Sequence, residues 1–121
     1  MKPKEVPRRG DVYIARLDPT HGREIKKTRP VVVISNNHLN ELSGLVIVAP
    51  ITSGKYSYVH DIPIIPPDGG LEKNSVIVVE QLRAIDQTRL MKQAGRVKKT
   101  TLEEIDQALR DHLGLTGSRI L

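Results

Sequence analysis

Lys26-Lys27-Thr28-Arg29 runs directly into Pro30 and then into the apolar stretch Val31–Ser35. A proline restricts the residue before it to extended backbone, so Arg29 leaves the chain in a fixed direction at the mouth of a strand. A guanidinium held that way offers a rigid fork of donors suited to a bidentate grip on phosphate. Other polar groups also fall at strand ends. Thr52 and Ser53 close the apolar run Leu45–Ile51, while Glu80, Gln81 and Arg83 cluster where the run Ser75–Ile85 bends. Strand ends are where polar residues ordinarily go, so the pattern alone fits either an anion site or plain solvation.

Most other chemistry is removed by the same inspection. The chain has no cysteine, which excludes disulfides, thiolate metal sites and cysteine nucleophiles. His21, His38, His60 and His112 are too scattered for the paired spacing of a zinc helix. Gly54-Lys55 could end a phosphate-binding loop, but Ala49 stands where its first glycine is needed. No Gly-x-Ser-x-Gly elbow is present to carry a serine nucleophile. No metal ligand set and no cofactor are therefore expected.

The elements that must position these residues are mostly strands. With 121 residues, one domain over 1–121 is expected, long enough to bury a core without staples. Three tyrosines are the whole aromatic content, so Val, Ile and Leu must fill that core, which favours sheet. Strands are predicted at Val12–Leu17, Val31–Ser35, Leu45–Ile51, His60–Pro66, Ser75–Ile85 and a last short "AGRV". Pro30 is read as the first residue of its strand, and Pro63 marks an edge strand. Asp18–Thr28 is a charged loop without periodicity, and such loops in compact domains usually carry function. From Thr100 or Thr101 a helix runs to Gly114, with Leu102, Ile105, Leu109 and Leu113 on its inner face. Many short strands and one long helix point to a small barrel with a helix packed on it.

Charge is distributed unevenly. Residues 1–30 hold nine Lys or Arg against four Asp or Glu, and the remainder balances, giving +5 overall. A second block, Arg89, Lys92, Arg96, Lys98 and Lys99, contains no acid. Such blocks serve either as solvated faces or as surfaces for a polyanion. The N-terminus lacks a signal peptide's apolar core, and no apolar run reaches the ~18 residues of a membrane span, so a cytoplasmic protein is expected.

In combination these segments resemble the MazF/PemK toxins, endoribonucleases of bacterial toxin–antitoxin pairs. The resemblance rests on "RRGDVYIARLDP", "GREIKKTRPVVVIS", "VIVAPITS" and "NSVIVVEQLRAIDQTRL", followed by the amphipathic helix, and covers about residues 8–113. It implies a mainly β fold with helices, an SH3-like small barrel of the CcdB/PemK type that forms a homodimer. By motif, the family's catalytic arginine and threonine fall on Arg29 and Thr52, its loop glutamate on Glu24 and its glutamine on Gln81. RNA contacts are expected at Glu24, Lys26, Lys27, Pro30, Ser53, Lys55, Gln81 and Arg83. The family's loop commonly carries serine where this chain has Arg23, and glycine where it has Lys27.

The implied reaction is metal-independent cleavage of single-stranded RNA by the RNA's own 2′-OH, giving a 2′,3′-cyclic phosphate and a 5′-OH. The implied partner is an antitoxin with an acidic tail. Two readings stand beside it: a gyrase poison of the CcdB type, and a non-catalytic nucleic-acid-binding barrel.

Overall fold

The computed structural model describes residues 5–53 and 61–120. Its central strands are β-branched and apolar on both faces, as strands between two packed layers must be. These are β1 (Asp11–Arg16), β2 (Thr28–Val33) and β3 (Leu45–Thr52). Between β2 and β3 lies the short helix α1 (Asn37–Ser43). The Asn36 side chain accepts from the His38 and Leu39 amides at its start, and Gly44 closes it in the left-handed region. Then follow β4 (Asp61–Ile64), β5 (Ser75–Val78), β6 (Arg83–Asp86), β7 (Leu90–Arg96) and the helix α2 (Lys99–Leu113). Every strand pair is antiparallel, in the order β4-β5-β3-β2-β1-β7, with β6 also on β3.

β3 changes partner along its length. Leu45–Val48 pair with β6, whereas Ile51 and Thr52 pair with β5. Two prolines sit where ladders are lost. The Leu17 amide donates to the Lys27 carbonyl at 3.0 Å, which fixes the hydrogen-bonding phase between β1 and β2. By alternation from that bond, the missing N–H of Pro30 faces β3, and the β2–β3 ladder begins only at Val31↔Pro50. Pro50 faces the other way, into the gap where β3 leaves β6 for β5. Pro30 is thus the third residue of its strand rather than the first. The run Ser75–Ile85 is likewise two strands, broken by a 3-10 turn at Val79–Gln81, so that each half can pair with a different half of β3.

The core has two parts. One lies under α2 and gathers Val12, Val32, Ile51, Ile77 and Ile105. The other, on the opposite face, gathers Tyr13, Val31, Val33, Val48, Ile85 and Leu90, and Ile25 of the loop packs against it. Burying Ile105 completely contributes about 1.5–3 kcal/mol. The buried face of α2 is Thr101, Ile105 and Ala108, flanked by Leu102 and Leu109. Leu113 is 53% exposed, because the packed stripe ends one turn before the helix does. The helix also starts earlier than its threonines indicate. Asp68 caps it from a distant turn, accepting from the Lys98 amide at 2.8 Å and from the Thr101 hydroxyl.

That distant turn, Asp68–Gly70, packs against β7. A Cβ on Gly70 would stand 2.0 Å from the Ala94 carbonyl oxygen, and φ there is +71°, so only glycine fits. β7 begins at Leu90, four residues before the expected "AGRV" strand, and pairs with β1. The hydrogen-bonded path of strands does not close on itself among the described residues. Among those residues no helix is long and apolar enough to cross a membrane.

Candidate active site

Arg29 pairs with Ala15 of β1 and is half-buried. Its Nε donates to the Lys26 carbonyl at 3.2 Å, which turns the guanidinium back over the end of the loop. The two terminal nitrogens carry no carboxylate among the described residues. Carried two residues beyond Val31↔Pro50, the β2–β3 register sets Arg29 across from Thr52. Thr52 itself is 4% exposed, while Ser53 is exposed at the strand's end.

The predicted site residues divide between two depressions. Arg29, Pro30 and Ser53 line a pocket of about 480 Å³ whose floor is Ile14 and Ile51. Glu24, Gln81 and Arg83 line a second, smaller one of about 210 Å³, floored by Leu17, Ile25 and Pro50. Alternation along β3 puts Ile51 and Ser53 on one side and Pro50 on the other, whereas Arg29, which the register sets on the Pro50 side, reaches the larger pocket from the end of its strand. Thr52 lies on the Pro50 side, in the strand between the two depressions. Lys55 falls outside the described residues.

The loop between β1 and β2 is held at several points. Its base closes through the Leu17–Lys27 bond, and the Arg83 and Arg89 guanidinia donate to the carbonyls of Leu17 and Asp18 at 3.1 and 2.8 Å. The Gln81 side chain accepts from the Ile25 amide and donates to the Arg23 carbonyl. Glu24 is exposed, and its carboxylate accepts from the His21 amide at 2.8 Å. Lys26 and Lys27 are exposed, and Lys27 adopts φ +70°. That is the position at which the resembling family carries glycine, and the backbone conformation supplies the reason.

The acid-free block does not act as one surface. Arg89 braces the loop, and Arg96 pairs with Asp11 at 2.9 Å. Lys92 alone among the five reaches the larger pocket. Lys73, Glu72, Ser75 and Gln93 line that pocket as well, and sequence reasoning did not single them out. Glu72, Lys73 and Ser75 follow the "PDGG" turn closely in sequence, whereas Gln93 joins them only because the fold sets that turn beside β7.

A small antiparallel β protein with a packed helix, and with a cation-rich pocket at its strand mouth, has the features of a polyanion-binding protein. Comparison with known proteins agrees and is more specific. The family model for the PemK-like, MazF-like toxin of type II toxin–antitoxin systems matches residues 8–113. The chain is 42% identical over 112 residues to an endoribonuclease MazF of Staphylococcus epidermidis, covering 91% of this chain and 93% of that relative. Its fold is similar to the crystal structure of MazF from Deinococcus radiodurans, with TM-score 0.81 and 25% identity over 93% of this chain and 100% of that one. A mycobacterial endoribonuclease solved in complex with its cognate antitoxin shares the fold at TM-score 0.74 and 24% identity, over 93% and 97% of the two chains. The chain belongs to the PemK-like, MazF-like toxin family.

Proposed function

We propose that this chain is the toxin of a type II toxin–antitoxin pair and an endoribonuclease that cuts single-stranded RNA at specific sequences. The observation that carries this reading is Arg29, fixed by Pro30 at the rim of a pocket and bearing no carboxylate among the described residues. The RNA supplies its own nucleophile. The 2′-oxygen bonds to phosphorus as the 5′-oxygen leaves; the 2′-OH gives up a proton and the leaving oxygen gains one, yielding a 2′,3′-cyclic phosphate and a 5′-OH. A protein serving this reaction aligns the 2′-OH with the phosphorus and stabilises the charge that builds on the phosphorane-like transition state. No step of it calls for a metal.

In this reading Arg29 donates to the non-bridging phosphate oxygens, and Thr52, facing it across the end of the β2–β3 ladder, supplies a second donor. Ser53 and Pro30 line the path of the RNA, as do Lys26 and Lys27 of the loop, and the sequence adds Lys55 as a further RNA contact. Glu24, Gln81 and Arg83 serve the second depression. The strand order, the partner change in β3 and the turn packed on β7 support an SH3-like small barrel of the CcdB/PemK type. The toxin acts as a homodimer in the cytoplasm, where its RNA is found, and an antitoxin with an acidic tail restrains it. Solved complexes of a MazF with MazE and of a mycobacterial endoribonuclease with its antitoxin support that pairing.

Incubating the purified protein with single-stranded RNA in EDTA, and sequencing the 5′-OH ends, tests the reading. Sequence-specific cuts are expected, with Arg29→Ala and Thr52→Ala each slower by about a hundredfold, the usual loss for one transition-state donor. RNA binding should change far less. A gyrase poison or a simple binder would leave the RNA whole.

A further inference from the structure

The pocket beside Arg29 extends past the guanidinium to a wall built from two other parts of the chain. Glu72 and Lys73 stand on the segment after the Asp68–Gly70 turn, and Lys92 and Gln93 stand on β7. The side chains of Glu72, Lys73 and Lys92 make no hydrogen bond or ion pair among the described residues. Gln93 uses its Nε2 on the Gly95 carbonyl at 3.3 Å, and its Oε1 has no donor among the described residues. Between this wall and Arg29 the floor is aliphatic, from Ile14, Ile51 and Leu71.

The volume, about 480 Å³, falls in the range of small-molecule sites and exceeds what one phosphate on Arg29 would occupy. Its chemistry is that of a nucleotide in three parts. Two lysines unpaired among the described residues are point charges for a phosphate. The aliphatic floor accepts a base face. A carboxylate and an amide oxygen at the rim accept hydrogen bonds, and so match a base edge that donates them. Adenine, cytosine and guanine carry an exocyclic amino group; uracil does not.

We infer that the pocket between Arg29 and β7 seats the nucleotide adjoining the scissile phosphate. Lys73 and Lys92 hold its backbone phosphate, and Glu72 and Gln93 select a base bearing an exocyclic amino group. The inference rests on the ribonuclease reading and adds to it the residues that set sequence preference. Unstacked bases of single-stranded RNA expose the edges such a site needs.

The test compares wild type with Glu72→Gln, Gln93→Ala and the double variant Lys73→Ala/Lys92→Ala. Each is incubated with a randomised single-stranded RNA library, and the cut ends are mapped. Binding is followed separately on an RNA blocked by 2′-deoxy substitution, across a range of salt. Glu72→Gln and Gln93→Ala should keep cutting but relax discrimination at one position next to the cut, by roughly tenfold, toward the low end of what a bidentate base-edge contact supplies. The lysine variant should bind more weakly and flatten the plot of log affinity against log salt by ~0.7 for each phosphate it no longer neutralises.

An unchanged cut motif in both rim variants, with an unchanged salt slope in the lysine variant, would overturn the inference while wild-type cutting left the ribonuclease reading intact. Failure of wild type to cut would sink that reading instead, and the lysine arm on blocked RNA would still decide the subsite. Variants that cut normally but resist an acidic inhibitory peptide would assign the wall to a protein segment, again overturning the inference.

Discussion

Gln81 and Ile25 are joined by a hydrogen bond of 2.7 Å, from the Ile25 amide to the Gln81 side-chain carbonyl. The same side chain donates to the Arg23 carbonyl at 3.2 Å, so one amide group grips the loop on both sides of Glu24. Gln81 therefore reaches RNA only if it releases the loop. Its first effect is to fix where Glu24, Lys26 and Lys27 stand. Each such bond contributes about 1 kcal/mol net. Gln81→Ala should speed exchange of the Ile25 amide by roughly ten- to thirtyfold, while core amides such as that of Val32 stay slow. Exchange by NMR reads this directly, and an unchanged Ile25 rate would remove the latch.

Lys27 occupies the left-handed region at φ +70°, where a side chain with a Cβ is strained by about 1 kcal/mol. Lys27→Gly and Lys27→Ala remove the same charge but differ in that strain. The glycine variant should be the more stable of the two by about 1 kcal/mol in urea unfolding, and the two should show the same weakening of RNA binding. Equal stability of the two variants would show that the loop relaxes around residue 27 at no cost.

Among the described glycines, Gly70 is the one where an added Cβ would come closest to backbone, and it also lines the pocket beside Arg29. An alanine there meets the Ala94 carbonyl, which belongs to a strand and cannot swing aside. Gly70→Ala should cost ~3 kcal/mol or more, the upper end of overpacking effects, and should impair RNA cutting in whatever fraction still folds. Gly44, also left-handed but with open space around it, is the control. Gly44→Ala should cost only about 1 kcal/mol.

The strands and the Arg29–Pro30 junction were legible because each is written locally, in β-branched runs and in the restriction that a proline imposes. The positions of strand breaks were less so. Pro50 and the turn at Val79–Gln81 matter because β3 exchanges one neighbour for another there, a fact about pairing that no single segment contains. Lys73 and Gln93 were illegible for the same reason. They meet only because two glycines let the Asp68–Gly70 turn lie against β7, a contact between segments some 25 residues apart. The basic block from Arg89 to Lys99 was legible as charge but not as structure, since what Arg89 and Arg96 bond to lies at the far end of the chain.

Asp111 ties down the residues after α2. Its carboxylate accepts from the Arg119 amide at 2.7 Å and Nη2 at 2.8 Å, and from Gln107 at 3.0 Å. The Arg119 amide and then its side chain are the main reasons the group ionises well below the usual carboxylate range. A depressed carboxylate contributes stability above its unfolded value, and that contribution is lost as pH falls through the folded value. Asp111→Asn should therefore lower Tm at pH 7 and still do so down to about pH 4, near the unperturbed aspartate value. The gap should narrow only on further acidification. A gap that closes above pH 5 would contradict the assignment.

The last expectation concerns the partner. Lys26, Lys27, Arg29, Lys73 and Lys92 stand on one loop and one pocket, and none pairs with a carboxylate among the described residues. An acidic segment that covers them must order itself on binding, so it needs a large contact area together with complementary charge. Long-range attraction then speeds its arrival, and salt screens that attraction. Inhibition by an acidic antitoxin tail should be competitive with RNA, with an association rate that falls roughly tenfold between low and high salt. Lys26→Glu/Lys27→Glu should slow association more than it hastens release, because changing a charge at the solvent-exposed rim of an interface acts mainly on the approach. Stopped-flow binding at several salt concentrations separates the two rates. A stable complex holding toxin, tail and uncut RNA together at saturation would show that tail and RNA do not share this surface.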